Sequence, residues 1–300
     1  MDQRPGRSCP ASYRYSPRVF DREPEIVADT LYVVGGLYGN VEALREVERM
    51  AARESGAVRI VFNGDFHWFD VDADDFATIA SGVAAHVALR GNVETEIASE
   101  DSGAGCGCAY PVDVSDAVVS RSNEILARLR ETARRQDGAR GRLAALPMHL
   151  VARVAGARVA IVHGDAVSLA GWGFDRDRLA DASHRRWVES MFAEAKVDAF
   201  ASTHTCMPAL ARFDAGVVAN NGAAGMPNKV GTHTGLLTRI AARPLEGVSA
   251  DGDGERMAGA FVQIVPIAYD HERWEKRFLA SWPPGSPAHA SYYRRIVHGS

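Results

Sequence analysis

The chain has 300 residues, 46% hydrophobic and 24% charged, which excludes a disordered, collagen-like or coiled-coil protein. That length allows one large domain or two small ones, with a core that needs no staples. The net charge of −4 argues against a dedicated nucleic-acid binder, though not against a phosphate ligand held through a metal.

The four cysteines, Cys9, Cys106, Cys108 and Cys206, are too few for a disulfide scaffold. The first 20 residues carry arginines and prolines but no apolar run of a secretory signal. No stretch reaches the roughly 18 apolar residues of a membrane helix. The expectation is a cytoplasmic protein with no membrane partner. A disordered tail is expected over residues 1–25, one domain over 26–282 and an irregular tail over 283–300.

In chain order, Leu31 to Val34 is a short apolar run that ends in Gly35-Gly36. Val41, Leu44, Val47 and Met50 then recur at helical spacing, and Gly56 closes that helix. Val58 to Phe62 reads as a buried strand, Asp74 to Ala85 as a helix, and Val87 to Leu89 as another strand. Residues 99–140 read as an insertion, a small flexible stretch followed by a helix from about Asp116 to Arg135. Leu150 to Val154 and Arg158 to Val162 flank Ala155-Gly156-Ala157 as a hairpin. A helix over Ser183 to Ala195 precedes strands at Val197 to Ala201, Val217 to Ala219, Gly235 to Ala241 and Ala260 to Ile267. A helix near Asp270 to Ala280 follows. Apolar strands joined by helices predict an α/β layered fold, whose ligands gather at the carboxyl ends of the strands.

The polar clusters stand at those ends. Five strands are each followed at once by one: GGLYGN (35–40), NGDFH (63–67), RGNVE (90–94), HGD (163–165) and STHTC (202–206). Carboxylate, imidazole and amide oxygen are ligands for divalent metals. Adjacent glycines leave room for a substrate. His67, beside Trp68 and Phe69, reads equally as a packed ring or a ligand. Cys106 and Cys108 form a Cys-Gly-Cys pair that is by itself a weak zinc signal.

This ordered set resembles the calcineurin-like metallophosphoesterase superfamily over about residues 30 to 240. Gly39-Asn40, Gly64-Asp65, Gly91-Asn92-Val93-Glu94, His163-Gly164 and His204-Thr205-Cys206-Met207-Pro208 follow its motifs in order, and Asn220-Asn221-Gly222 resembles its final turn. The resemblance implies a four-layer α/β/β/α sandwich and hydrolysis of a phosphomonoester or phosphodiester by metal-bound hydroxide. It implies Asp65, Asn92, His163 and His204 as metal ligands, with Asn40 and Glu94 supporting them by hydrogen bonding. It also implies one or two divalent ions (manganese, iron or zinc) and a small-molecule or nucleotide phosphoester as substrate.

The departures empty one metal site and spare the other. Gly36 and Tyr38 stand where the family has an aspartate and a histidine, and Cys206 stands for the last histidine. Three outcomes stay open. The spared ligands hold a single ion. Or new ligands, drawn from His67, Cys106, Cys108, Cys206, Asp165 and Tyr38, rebuild the emptied site. Or the fold has become a non-catalytic binding protein. Tyr38 and Asn221 are the expected phosphate contacts, and the 99–140 insertion and the C-terminal tail are expected to cap the site.

Overall fold

The structure, a computed structural model, describes residues 4–101, 103–247 and 254–299. Parts of three expected segments, namely residues 1–3, Ser102 and Ser300, lie outside the described residues.

In chain order the elements are β1 (Ile26–Ala28), β2 (Thr30–Val34), α1 (Val41–Ala51), β3 (Val58–Asn63), α2 (Ala73–Ala84), β4 (Val87–Leu89) and α3 (Asn92–Ala98). Then come α4 (Asp116–Arg134), α5 (Ala139–Ala144), β5 (His149–Val154), β6 (Ala157–Val162), α6 (Arg176–Ala180), α7 (Arg185–Ala195) and β7 (Ala199–Ser202). The chain continues through β8 (Pro208–Arg212), β9 (Val217–Asn221), β10 (Gly235–Ala241), β11 (Glu255–Met257), β12 (Ala260–Ile267), α8 (His271–Ser281) and α9 (Pro287–His298).

Among the described residues, twelve strands form two six-stranded mixed sheets, ordered β1-β5-β6-β7-β9-β8 and β11-β12-β10-β2-β3-β4. Strand alternation explains how they stack, because successive side chains point to opposite faces. Leu31, Val33 and Val61 from one sheet meet Val159 and Ile161 from the other in a shared apolar layer. Their neighbours Tyr32, Val34, Ile60 and Phe62 face the other way, into a core with α1, α2, α4, α8 and α9. Ala160 and Val162 face out from the first sheet onto α7 and Phe20. The result is the expected four-layer α/β/β/α sandwich. Within it β2–β3–β4 and β6–β7 run parallel, so the loops after β3, β4, β6 and β7 open on one edge.

Both expected tails are packed. Between residues 4 and 25, Ser16 caps a short 3-10 turn at Pro17–Phe20, and Tyr13 and Phe20 are fully buried. Their aromatic rings, not the local chain pattern, anchor that segment. At the other end α9 begins with Ser286 as its N-cap and Pro287 in its first turn. A proline there is pre-organised for a helix and needs no amide hydrogen, so the proline-rich stretch starts a helix instead of preventing one. No helix among the described residues is long and apolar enough to cross a membrane.

Candidate metal centre

The loop after β3 carries Asp65 in a left-handed conformation, φ 51°. Glu94 holds it there. One oxygen of that fully buried carboxylate accepts the amides of Asp65 (2.7 Å) and Gly91 (2.9 Å), and the other accepts the amide of His67 (3.2 Å). Burial, with the Asp65 charge second, pushes the Glu94 carboxyl up to about 7. Gly91 allows the close approach, since a Cβ there would stand 2.3 Å from Asp65 Oδ1.

Asn92 opens α3. Its amide nitrogen donates to the Cys106 carbonyl at 2.9 Å, which turns Oδ1 toward His163 Nε2, 3.1 Å away. His163, after β6, puts Nδ1 2.9 Å from the Asn63 carbonyl. His204, after β7, puts Nε2 3.1 Å from the Cys108 carbonyl. A carbonyl only accepts, so each of those nitrogens carries the ring hydrogen. The opposite nitrogens, His163 Nε2 and His204 Nδ1, face each other at 3.2 Å, and each is a bare lone pair in the neutral ring. Asp65 Oδ1 lies 3.4 Å from His163 Nε2.

Four lone-pair atoms therefore converge from four loops: Asp65 Oδ1, Asn92 Oδ1, His163 Nε2 and His204 Nδ1. The Asp65, His163 and His204 ligand atoms lie within 4.8 Å of one another, all buried. Lone pairs packed this way repel one another, and a divalent cation of the nitrogen- and oxygen-preferring kind turns that repulsion into coordination. Charge follows the same geometry. Burial works to raise Asp65, but the His163 charge and hydrogen bond hold it below the usual carboxylate range. Burial works to lower His163, but Asp65 holds it above the ordinary histidine value. Burial and then the His163 charge push His204 down to about 3.

The remaining expected ligands are elsewhere engaged. The Cys206 thiol meets the Tyr38 hydroxyl at 2.7 Å. The Tyr38 ring lies over Gly36, where a Cβ would be 2.9 Å from two of its carbons. His67 is tied to Asp70 through Nδ1 at 2.5 Å and stacked on Phe76. Cys106 and Cys108 meet the centre through their backbone carbonyls, the Cys108 sulfur also accepts the Asn92 amide at 3.6 Å, and burial pushes the Cys108 thiol up. Asp165 spends its carboxylate on the amides of Val167, Ser168 and Gly173. Asn40 caps α1 and bonds the Gly225 carbonyl, so it contacts none of the four ligands. Asn221 gives its amide nitrogen to the carbonyls of Gly35 and Leu236, a brace between strands and not a phosphate contact.

Above the four ligands is a pocket of about 250 Å³. The expected caps supply part of it. The insertion contributes Cys108, Tyr110, Val114 and Val118, and α9 contributes Ser291, Tyr292 and Arg295. Trp68 and Trp172 complete an aromatic wall. Sequence reading missed Tyr110, Trp172, Tyr292 and Arg295, which lie outside the strand-end motifs. For Tyr110, Tyr292 and Arg295 the only signal was position within the two segments expected to cap the site, and Trp172, in the loop between β6 and α6, had none.

No protein-family model matches the chain, and no curated protein does either. Solved structures do share its fold. A hypothetical protein from Pyrococcus horikoshii OT3 superimposes with a TM-score of 0.60 at 17% identity, over 92% of this chain and 99% of that one. A metallophosphoesterase from Sphaerobacter thermophilus does so with a TM-score of 0.57 at 15% identity, over 90% of this chain and all of that one. The fold is the metallophosphoesterase fold. On that fold the converging ligands sit at the strand ends, where an open α/β architecture places its ligands. Of the outcomes left open, a rebuilt second cluster of ligands is not assembled among the described residues.

Proposed function

We propose that the protein is a one-ion metal-dependent phosphoesterase. The observation that carries the reading is the set of four converging lone pairs at Asp65, Asn92, His163 and His204, with both ring hydrogens turned outward. A divalent cation held there supplies Lewis-acid stabilisation to a phosphoryl oxygen. The chain's own groups supply the rest. The carbonyls of Asn63, Cys106 and Cys108 fix the orientation of three ligands, as outer-shell partners do. Arg295 brings a positive charge to the pocket wall, and its Nε and Nη2 are anchored on the carbonyls of Pro227 and Cys206. Those bonds hold the guanidinium in place, and its positive charge suits a phosphoryl group.

The wall favours a small phosphoester with a flat apolar group. Trp172 spends its N–H on the Cys108 carbonyl, and Tyr110 spends its hydroxyl on Ser122, so both present ring surface to the pocket. A cavity of about 150 Å³ holds a benzene ring. A pocket of about 250 Å³ thus has room for one ring and a phosphoryl group.

The Tyr38–Cys206 contact favours a second reading, a non-catalytic binding protein on the same fold, because it occupies two of the positions at which the resemblance implies ligands. One comparison separates the readings. Wild type and Asp65→Asn are assayed for hydrolysis of aryl phosphomonoesters and phosphodiesters with manganese, iron(II) or zinc. The enzyme reading expects turnover that falls by about 100-fold or more in the variant. Equal rates in the two proteins, or no turnover while the wild type binds both ion and phosphonate, sinks it.

A further inference from the structure

A second cavity, of about 220 Å³, shares no lining residue with the metal pocket. Its walls include Phe66, Phe76, Val83, Leu143 and Leu146, and its one fully buried polar side chain is His67. That ring is held on two sides. Asp70 Oδ2 lies 2.5 Å from Nδ1, and Phe76 stacks on one face with centroids 3.9 Å apart and planes 4° from parallel. Nε2 has no hydrogen-bond partner. Buried polar atoms are nearly always paired, and one left over beside a cavity marks where a partner enters.

We infer that this cavity binds a single-ring aromatic molecule bearing a hydroxyl, which pairs with His67 Nε2. The size admits one ring, since a cavity of about 150 Å³ already holds benzene. The lining is otherwise aromatic and aliphatic surface, apart from half-buried His86, which faces Glu48, and exposed Arg142, which donates to the Asp137 carbonyl. A hydroxyl both donates and accepts, so it satisfies Nε2 whether or not that nitrogen carries a hydrogen. The cavity also connects to the metal centre through one carboxylate, because Glu94 accepts the amides of both His67 and Asp65.

The test titrates the full-length protein with phenol and with toluene, following the His67 ring nitrogens by NMR. A cavity-filling variant, Ala80→Phe, is titrated beside it, as Ala80 lines the cavity from α2. Phenol is expected to bind one to one with a Kd on the order of 1 mM or tighter, about tenfold tighter than toluene. It is expected to shift the Nε2 resonance and to lose its site in Ala80→Phe. No saturable binding of phenol overturns the inference. So does toluene binding as tightly as phenol, or phenol binding unchanged in Ala80→Phe. If that variant fails to fold, the phenol–toluene ratio and the Nε2 shift in the wild type decide alone.

Discussion

The Tyr38 hydroxyl and the Cys206 thiol meet at 2.7 Å, and the tyrosine ring covers Gly36 in the pocket that Asp65 also lines. Gly36, Tyr38 and Cys206, the positions at which the resemblance implies ligands, are therefore one packed unit. A single aromatic side chain covers a glycine, and a thiol of matching reach pairs with its tip. This predicts that the wild type takes up one ion. The variant Gly36→Asp/Tyr38→His/Cys206→His is expected to take up two by calorimetric titration. Gly36→Asp alone is expected to cost about 1–3 kcal/mol in denaturant unfolding, because φ is +64° and the new Cβ meets the tyrosine ring. With Tyr38→His the steric part of that cost is relieved. Two ions in the wild type would contradict the account.

Ion binding depends on pH through one histidine. In the ion-free protein His163 is held above the ordinary histidine value, against its burial, by Asp65, while burial and the His163 charge put His204 at about 3. Of the four converging side chains only His163 has a proton to release across the neutral range, and Glu94 beside them, pushed up to about 7, is the other group there that titrates. Log affinity for the ion is expected to climb by about one unit per pH unit below the His163 titration and to level off above it. Calorimetry in buffers of different ionisation enthalpy measures the proton count directly. No proton released at any pH would count against a His163 that must give up its proton to the ion.

Arg295 and Trp172 divide the recognition of a phosphoester between them. Arg295→Met is expected to weaken binding of methyl and phenyl phosphonate alike, by about tenfold, because it removes a charge-assisted contact. Trp172→Ala is expected to weaken phenyl phosphonate far more than methyl phosphonate, because it removes ring surface. Equal losses for both ligands in Trp172→Ala would remove the aromatic wall from the account. Thermal unfolding of each variant separates these effects from loss of fold.

The N-terminal segment is part of the core. Phe20 lies edge-on to Phe200 and His149, and its carbonyl accepts Arg158 Nη2. Phe20→Ala is expected to cost about 3–5 kcal/mol of stability, measured by urea unfolding. A loss below about 1 kcal/mol would mean that the segment is not docked in solution.

The sequence disclosed the strand-end pattern because each motif couples two strong local signals, an apolar strand and a glycine beside a polar residue. Asp65, Asn92, His163 and His204 came together from those signals and the family resemblance. What stayed hidden depends on contacts between distant segments. Nothing local to Cys106 or Cys108 says that their backbone carbonyls orient Asn92 and His204. Nothing local to Tyr13 or Phe20 shows that rings in a proline- and arginine-rich stretch are buried. The short strands β1, β8 and β11 and the helix α9 were missed for a related reason. Three to five residues carry little periodicity, and Pro283, Pro284 and Pro287 read as breakers until Pro287 is seen in the first turn of a helix.

The most direct measurement is elemental analysis of protein purified without chelator, beside Asp65→Ala/His163→Ala. The account predicts close to one equivalent of a divalent transition metal in the wild type and its loss in a folded double variant. A wild type that carries none and takes up none from manganese, iron(II) or zinc would contradict it, as would a double variant that keeps its ion.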